Sequence, residues 1–319
     1  MESTGNGPGP PAPDEVRDRL MSIIDPVLGE DVVSLGLVGS IDVTERMIMV
    51  ELALFAPYAP SERLIVDRIH EAFAGHDREV ITVIADDAGR TTPTEDVAPG
   101  DCATIDGVRN VVAVDGAAAC ERHPEATLET AVELSRLGAE VGAFVLDDEA
   151  DCSVAAAPGR ADGARRFDEP IDPPTVRGVQ VGRGDDLRRA SESITWREID
   201  YLLVDVTPAS RSSRPEALDR LAGAPGLVTA TATSTTSVVQ ASHDAFREHG
   251  VTSVGTLELE DASDQPEPEG SASAAGWRGI VRPAGFQAGG ATVLTDGSIA
   301  AAIADRVGAV RRRAVDPRA

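Results

Sequence analysis

The chain has 319 residues, 42% of them apolar, and its 54 acidic residues against 29 basic ones give a formal net charge of -25. That length buries a substantial core and favours two domains, while the acidic balance repels phosphate backbones and argues against a nucleic-acid partner. None of the basic residues is lysine, which excludes a phosphate-loop lysine, a Schiff base and a lysine general base.

Residues 1–12 are rich in Gly and Pro and read as a flexible tail. With no basic-then-apolar leader and no run of about eighteen apolar residues, a cytoplasmic protein without a membrane partner is expected. Excess Asp and Glu, no Lys and 3% aromatic residues fit a halophilic, acidic protein kept soluble at high salt.

Residues 13–87 form the first expected unit. Asp14 caps a helix with Val16, Leu20, Ile23 and Ile24 on one side, ending at Asp25-Pro26. Strands follow at Val38–Val43 and Met47–Leu54, then a helix carrying Ile65, Ile69, Ala72 and Phe73 at helical spacing, then a strand at Val80–Ala85. The α-β-β-α-β order predicts a small α+β domain with helices on one face of a short sheet. Residues 88–104 are polar and read as a linker.

Residues 105–260 alternate in a different way. Strands are expected at Asn110–Val114, Glu140–Leu146, Val179–Val181, Asp200–Val206, Gly226–Thr231 and Ser253–Leu259. Helices fit between them at Leu128–Leu137, Asp185–Trp196, Pro215–Leu221 and Val238–His249. The alternation predicts an α/β domain with a parallel sheet covered on both faces and ligands at the carboxyl ends of its strands. Residues 261–276 are an acidic low-complexity segment, and 277–319 supply a terminal strand and helix. That helix has Ile299, Ile303, Val307 and Val310 as an apolar stripe. Arg311 to Arg313 read as a solvated helix end complementing the dipole, with a partner site as the alternative.

Cys102, Cys120 and Cys152 form no C-x-x-C pair, so neither a disulfide framework nor a zinc ribbon is supported. Cys120 and Cys152 follow the first two strands of the second domain and are weak metal candidates only.

The run "DPVLGEDVVSLGLVGSIDV" at 25–43, followed by "LALFAPYAP", resembles the assembly-factor domain that precedes the ATPase in many Mrp/ApbC iron-sulfur cluster carriers. "IDGVRNVVAV" at 105–114, "SRLGAEVGAFVLDD" at 135–148 and "IDYLLVDVTP" at 199–208 resemble the P-loop NTPase-like domain of the same family, which is of the MinD/ParA type. The resemblance implies a phosphate loop at "GAAACERHPE", residues 116–125, beginning at Gly116. There Ala118 and His123 stand where the family has lysines, and Pro124 stands where it has the magnesium-binding hydroxyl. Asp205 matches the Walker B carboxylate, and Asp147 is what survives of the switch aspartates. Ala and Arg resist the positive φ of loop glycines, Pro124 removes an amide, and Glu121 and Glu125 repel polyphosphate. The family's C-x-x-C pair is missing as well.

The resemblance therefore implies a degenerate paralogue: a pseudo-ATPase without catalytic residues or cofactor, acting as scaffold or regulator in iron-sulfur cluster assembly. Expected partners are an active carrier or cluster-assembly proteins, in a homo- or hetero-oligomer. Within the first unit Asp25, Gly29, Asp31, Ser34 and Gly36 are the partner-binding candidates, in a loop that also carries Val32, Val33 and Leu35. Two alternatives stay open: a ligand-binding protein or enzyme with a repurposed pocket, using Cys120, His123, Asp147 and Asp205, and an ATP-binding carrier, which the loop disfavours.

Overall fold

The computed structural model describes residues 10–75, 78–85, 105–116, 123–146, 175–176, 178–184, 187, 194–207, 213–231, 234–261, 281–288, 291–294 and 298–314. Helix α1 spans Pro13–Leu20, with proline in its first turn and the Glu15 carboxylate accepting from the Ala12 amide at 3.1 Å. It stops earlier than its apolar spacing predicts. The chain turns at Met21 and runs extended so that Ile24 bridges Asp31, which buries Ile23 and leaves Ile24 41% exposed. Ile24 is thus not a core residue.

Strands β1 (Val38–Val43), β2 (Met47–Leu52) and β3 (Glu79–Ile84) form a three-stranded sheet in that order, β1 antiparallel and β3 parallel to β2. Strand β2 alternates, with Ile48, Val50 and Leu52 fully buried and the residues between them half-buried. Its inner face packs against Leu20 of α1 and against Ile65 and Ile69 of α2, which spans Pro60–Ala72.

The second domain is α/β, as the alternation predicts. Its sheet comprises β4 (Val108–Gly116), β5 (Val141–Leu146), β6 (Thr175–Val176), β7 (Val179–Gly184), β8 (Ile199–Asp205), β9 (Pro225–Thr231), β10 (Thr252–Asp261), β11 (Val281–Ala288) and β12 (Ala291–Leu294). They lie in the order β12-β11-β10-β9-β4-β8-β5-β7-β6. The strands from β10 to β7 pair in parallel, and β11, β12 and β6 are added antiparallel at the edges. Strands β5 and β8 are buried nearly throughout, as expected of a sheet covered on both sides. One face is covered by α3 (His123–Arg136) and α6 (Ser298–Ala314), the other by α4 (Ser213–Arg220) and α5 (Thr236–Glu248).

Two expectations are corrected. The helix expected over 185–196 does not include its final residues: Ile194 forms an isolated bridge, and Ile194 and Trp196 insert into the core beneath α4 and α5. The single C-terminal strand is two, because β11 and β12 extend the main sheet as an antiparallel pair.

Candidate functional site

The carboxyl ends of β4 and β8 lie side by side, Val114 opposite Asp205. Asp205 is fully buried. Its Oδ2 accepts from the Thr127 hydroxyl of α3 at 3.1 Å, and its Oδ1 accepts from the Thr207 amide at 3.0 Å. The Thr207 hydroxyl in turn accepts from the Gly116 amide at 2.7 Å. Both oxygens of the carboxylate and the amide of Gly116 are therefore engaged by neighbouring neutral groups.

Asp115 follows Val114, so the strand's two-residue alternation turns it to the opposite face of the sheet from Asp205. It too is buried, and it pairs with Arg214 of α4. The two aspartates therefore do not form a carboxylate pair. On the same face as Arg214, His243 of α5 bridges Ser253 at 2.8 Å and Thr256 at 2.9 Å, and burial pushes its pKa down. His123 and Pro124 open α3, and Ala118, Cys120, Asp147 and Cys152 lie outside the described residues. Among the described residues no three His, Cys, Asp or Glu side chains gather as a metal group.

The densest ionic site lies instead between the two domains. Arg312, fully buried near the end of α6, donates through Nε to Asp25 Oδ2 at 2.6 Å and through Nη1 to Glu62 Oε1 at 2.6 Å. Its Nη2 reaches Ser61 Oγ at 3.2 Å. Glu62 also accepts from the Phe55 and Ala56 amides. Burial pushes its carboxyl above the usual range, against the opposing pull of Arg312 and these amides. Arg311 lies over the Phe55 ring at 5.7 Å.

The segment from Phe55 to Ser61 completes the seam. Asn110 Nδ2 donates to the Phe55 carbonyl at 2.6 Å, the Tyr201 hydroxyl to the Pro57 carbonyl at 2.7 Å, and the Ser61 amide to Asp305 at 2.7 Å. Gly138 has φ +104°, and a Cβ there would meet the Tyr58 ring at 3.0 Å. The second domain thus satisfies the Phe55 and Pro57 carbonyls and the Ser61 amide, while Glu62 takes the Phe55 and Ala56 amides.

These contacts correct two sequence readings. Arg312 is neither a solvated helix end nor a partner site, because two small-domain acids, Asp25 of the loop after α1 and Glu62 of α2, hold it in a fully buried position. Asp25 is withdrawn from the surface as well: Oδ2 holds Arg312 and Oδ1 accepts from the Val27 and Leu28 amides at 2.8 and 2.9 Å. The rest of the loop is turn architecture. Asp31 Oδ1 accepts from Val33 and Ser34; slight burial pushes its pKa up, but these bonds and the Ser34 hydroxyl hold it below the ordinary value. Gly29 and Gly36 supply φ of +74° and +71°. Val32 and Leu35 are core residues, so the exposed part of the loop is smaller and more polar than the sequence suggests.

Residues 13–83 match the family described as iron-sulfur cluster assembly protein. No curated protein matches the chain. Among solved structures, the domain of unknown function DUF59 from Bacillus anthracis is 25% identical, covering 22% of this chain and 73% of that one with a TM-score of 0.20. A nucleotide-binding protein in complex with ADP from Archaeoglobus fulgidus is 18% identical over 54% of this chain and 77% of that one, with a TM-score of 0.38. The BceF tyrosine kinase domain is 15% identical over 47% and 68%, with a TM-score of 0.34.

Proposed function

We propose that this protein is a non-hydrolysing scaffold or regulator in iron-sulfur cluster assembly, in which the second domain holds the first in a fixed orientation. The observation that carries this reading is the match of residues 13–83 to the iron-sulfur cluster assembly family, on a domain tied by Arg312 to the α/β domain behind it. Three features support the absence of nucleotide chemistry. The chain has no lysine to neutralise a polyphosphate. The segment between β4 and α3 carries Glu121 and lacks the glycine-rich pattern that wraps phosphates, and Glu125 follows near the start of α3. Asp205, at the position of a magnesium-shell carboxylate by the resemblance above, is occupied by Thr127 and the Thr207 amide. The work of such a protein is presentation of a surface, with an active carrier ATPase or cluster-assembly proteins as its partners.

Calorimetric titration of the full chain with Mg-ATP in molar KCl tests this reading. No binding heat is expected. A micromolar dissociation constant that disappears in Asp205→Asn, which preserves the shape around Thr127, would make the protein a nucleotide-binding carrier instead.

A further inference from the structure

Strand β3 is an edge of the small sheet, and its backbone phase is fixed by two hydrogen bonds. The Glu79 amide donates to the Arg46 carbonyl and the Ala85 amide to the Leu52 carbonyl, each at 3.0 Å. Odd-numbered residues therefore turn their amide and carbonyl towards β2, and Val80, Thr82 and Ile84 turn theirs outward. Among the described residues nothing pairs with that outward row. The other edge of this sheet is protected differently: β1 is broken by a register irregularity between Val38 and Ile41 and carries Gly39, Ser40 and Asp42. Strand β3 reads Glu-Val-Ile-Thr-Val-Ile, without proline, glycine or lysine, and Val83 and Ile84 are 40% and 37% exposed.

We infer that β3 pairs with β3 of a second copy of this chain, antiparallel about a two-fold axis at Thr82. The phase of the edge and full overlap of the strand together select this register. Antiparallel hydrogen-bonded pairs must join residues whose groups face outward, and of the registers that do so the one that pairs all of residues 79–85 places Thr82 opposite Thr82 and Val80 opposite Ile84 of the second copy. The intervening pair is Ile81 with Val83, and Glu79 falls opposite Ala85. Within residues 79–85 every cross-strand pair is then β-branched with β-branched, or a carboxylate with a methyl, and no two acids meet. About six backbone hydrogen bonds close the seam. On the outer face, Met49 lies beside Ile81 in β2-β3 register, so the two copies join their half-buried apolar rows into one strip. The edges of the main sheet are shorter, β6 with two residues and β12 with four.

Light scattering on the full chain in molar KCl, with hydrogen exchange over the same concentrations, tests the pairing. At about 100 micromolar the mass should be twice 33.2 kDa. With rising concentration the amides of Val80, Thr82 and Ile84 should slow, while those of Ile81 and Val83, already bonded to β2, should not change. Thr82→Pro removes an outward amide, and with it the hydroxyl that meets His70 Nε2 at 3.3 Å, but none of the backbone bonds to β2, and should return the single-chain mass. If that variant does not fold, Val83→Glu, at an exposed position opposite Ile81, decides in its place. A wild-type chain of single mass, or a double mass that survives the folded variant, overturns the pairing.

Discussion

Removing the guanidinium of Arg312 by Arg312→Ala leaves two carboxylates buried without their cation, at an expected cost of about 3–5 kcal/mol near neutral pH. The penalty should shrink on acidification, and Glu62 gives the sign. Because burial raises its pKa in the folded state, the stability it contributes is full below its ordinary value of 4.5 and is lost as pH rises through the folded value. Without Arg312 the pull that opposes burial is gone and that loss deepens. Urea titrations of wild type and variant from pH 4.5 upward should therefore diverge, and a penalty independent of pH would place Glu62 outside the balance. Some of this was readable from residues: Glu62 stands three and seven positions before Ile65 and Ile69, a carboxylate on an apolar stripe. Its partner was not. Arg312 sits in a run of three arginines at a helix end, where sequence gives each the same solvated reading, and only packing against the other domain singles one out. Asp31 shows the converse, since a polar loop residue that looks available is committed to the amides of its own turn.

Helix α6 was legible from its apolar stripe, but its role between the domains rests on Gly308. A Cβ there would lie 2.7 Å from Arg312 Nη1, 2.8 Å from Ala56 Cβ and 2.9 Å from Glu62 Oε1. Replacing an open helical glycine by alanine ordinarily gains up to about 1 kcal/mol. Here Gly308→Ala should instead destabilise by about 1–3 kcal/mol, because the added methyl must displace α6 from the Phe55–Ser61 segment. Thermal melts decide it, and a raised melting temperature would mean that the close approach of α6 to the small domain is absent in solution. Strand positions were largely legible because β4, β5 and β8 contain apolar runs at Val111–Val114, Val141–Leu146 and Tyr201–Val204, and β2 alternates. Helix ends were less so: α1 stops at Leu20 because the bridge from Ile24 to Asp31 requires extended backbone, a demand made by residues that lie beyond the helix.

With charged, hydrogen-bonded and apolar contacts all crossing the seam, the two domains should open as one unit. Native-state hydrogen exchange in low denaturant should give Val50 of β2 and Val112 of β4 the same opening free energy. In Arg312→Ala the small-domain amide should open first. A small domain that opens independently in the wild type would refute the fixed orientation on which the scaffold reading depends. The sequence by itself determined the two domain types, the order of most strands, the absence of lysine chemistry and the resemblance to cluster carriers, because these depend on local periodicity and on which side chains exist. Tertiary structure decided that Asp25 and Arg312 face each other, that Asp115 and Asp205 lie on opposite faces of one sheet, and that Val32 and Leu35 leave the surface. Those outcomes depend on which distant segments meet, and burial of a charge is tolerable only where folding brings its counterpart within hydrogen-bonding distance.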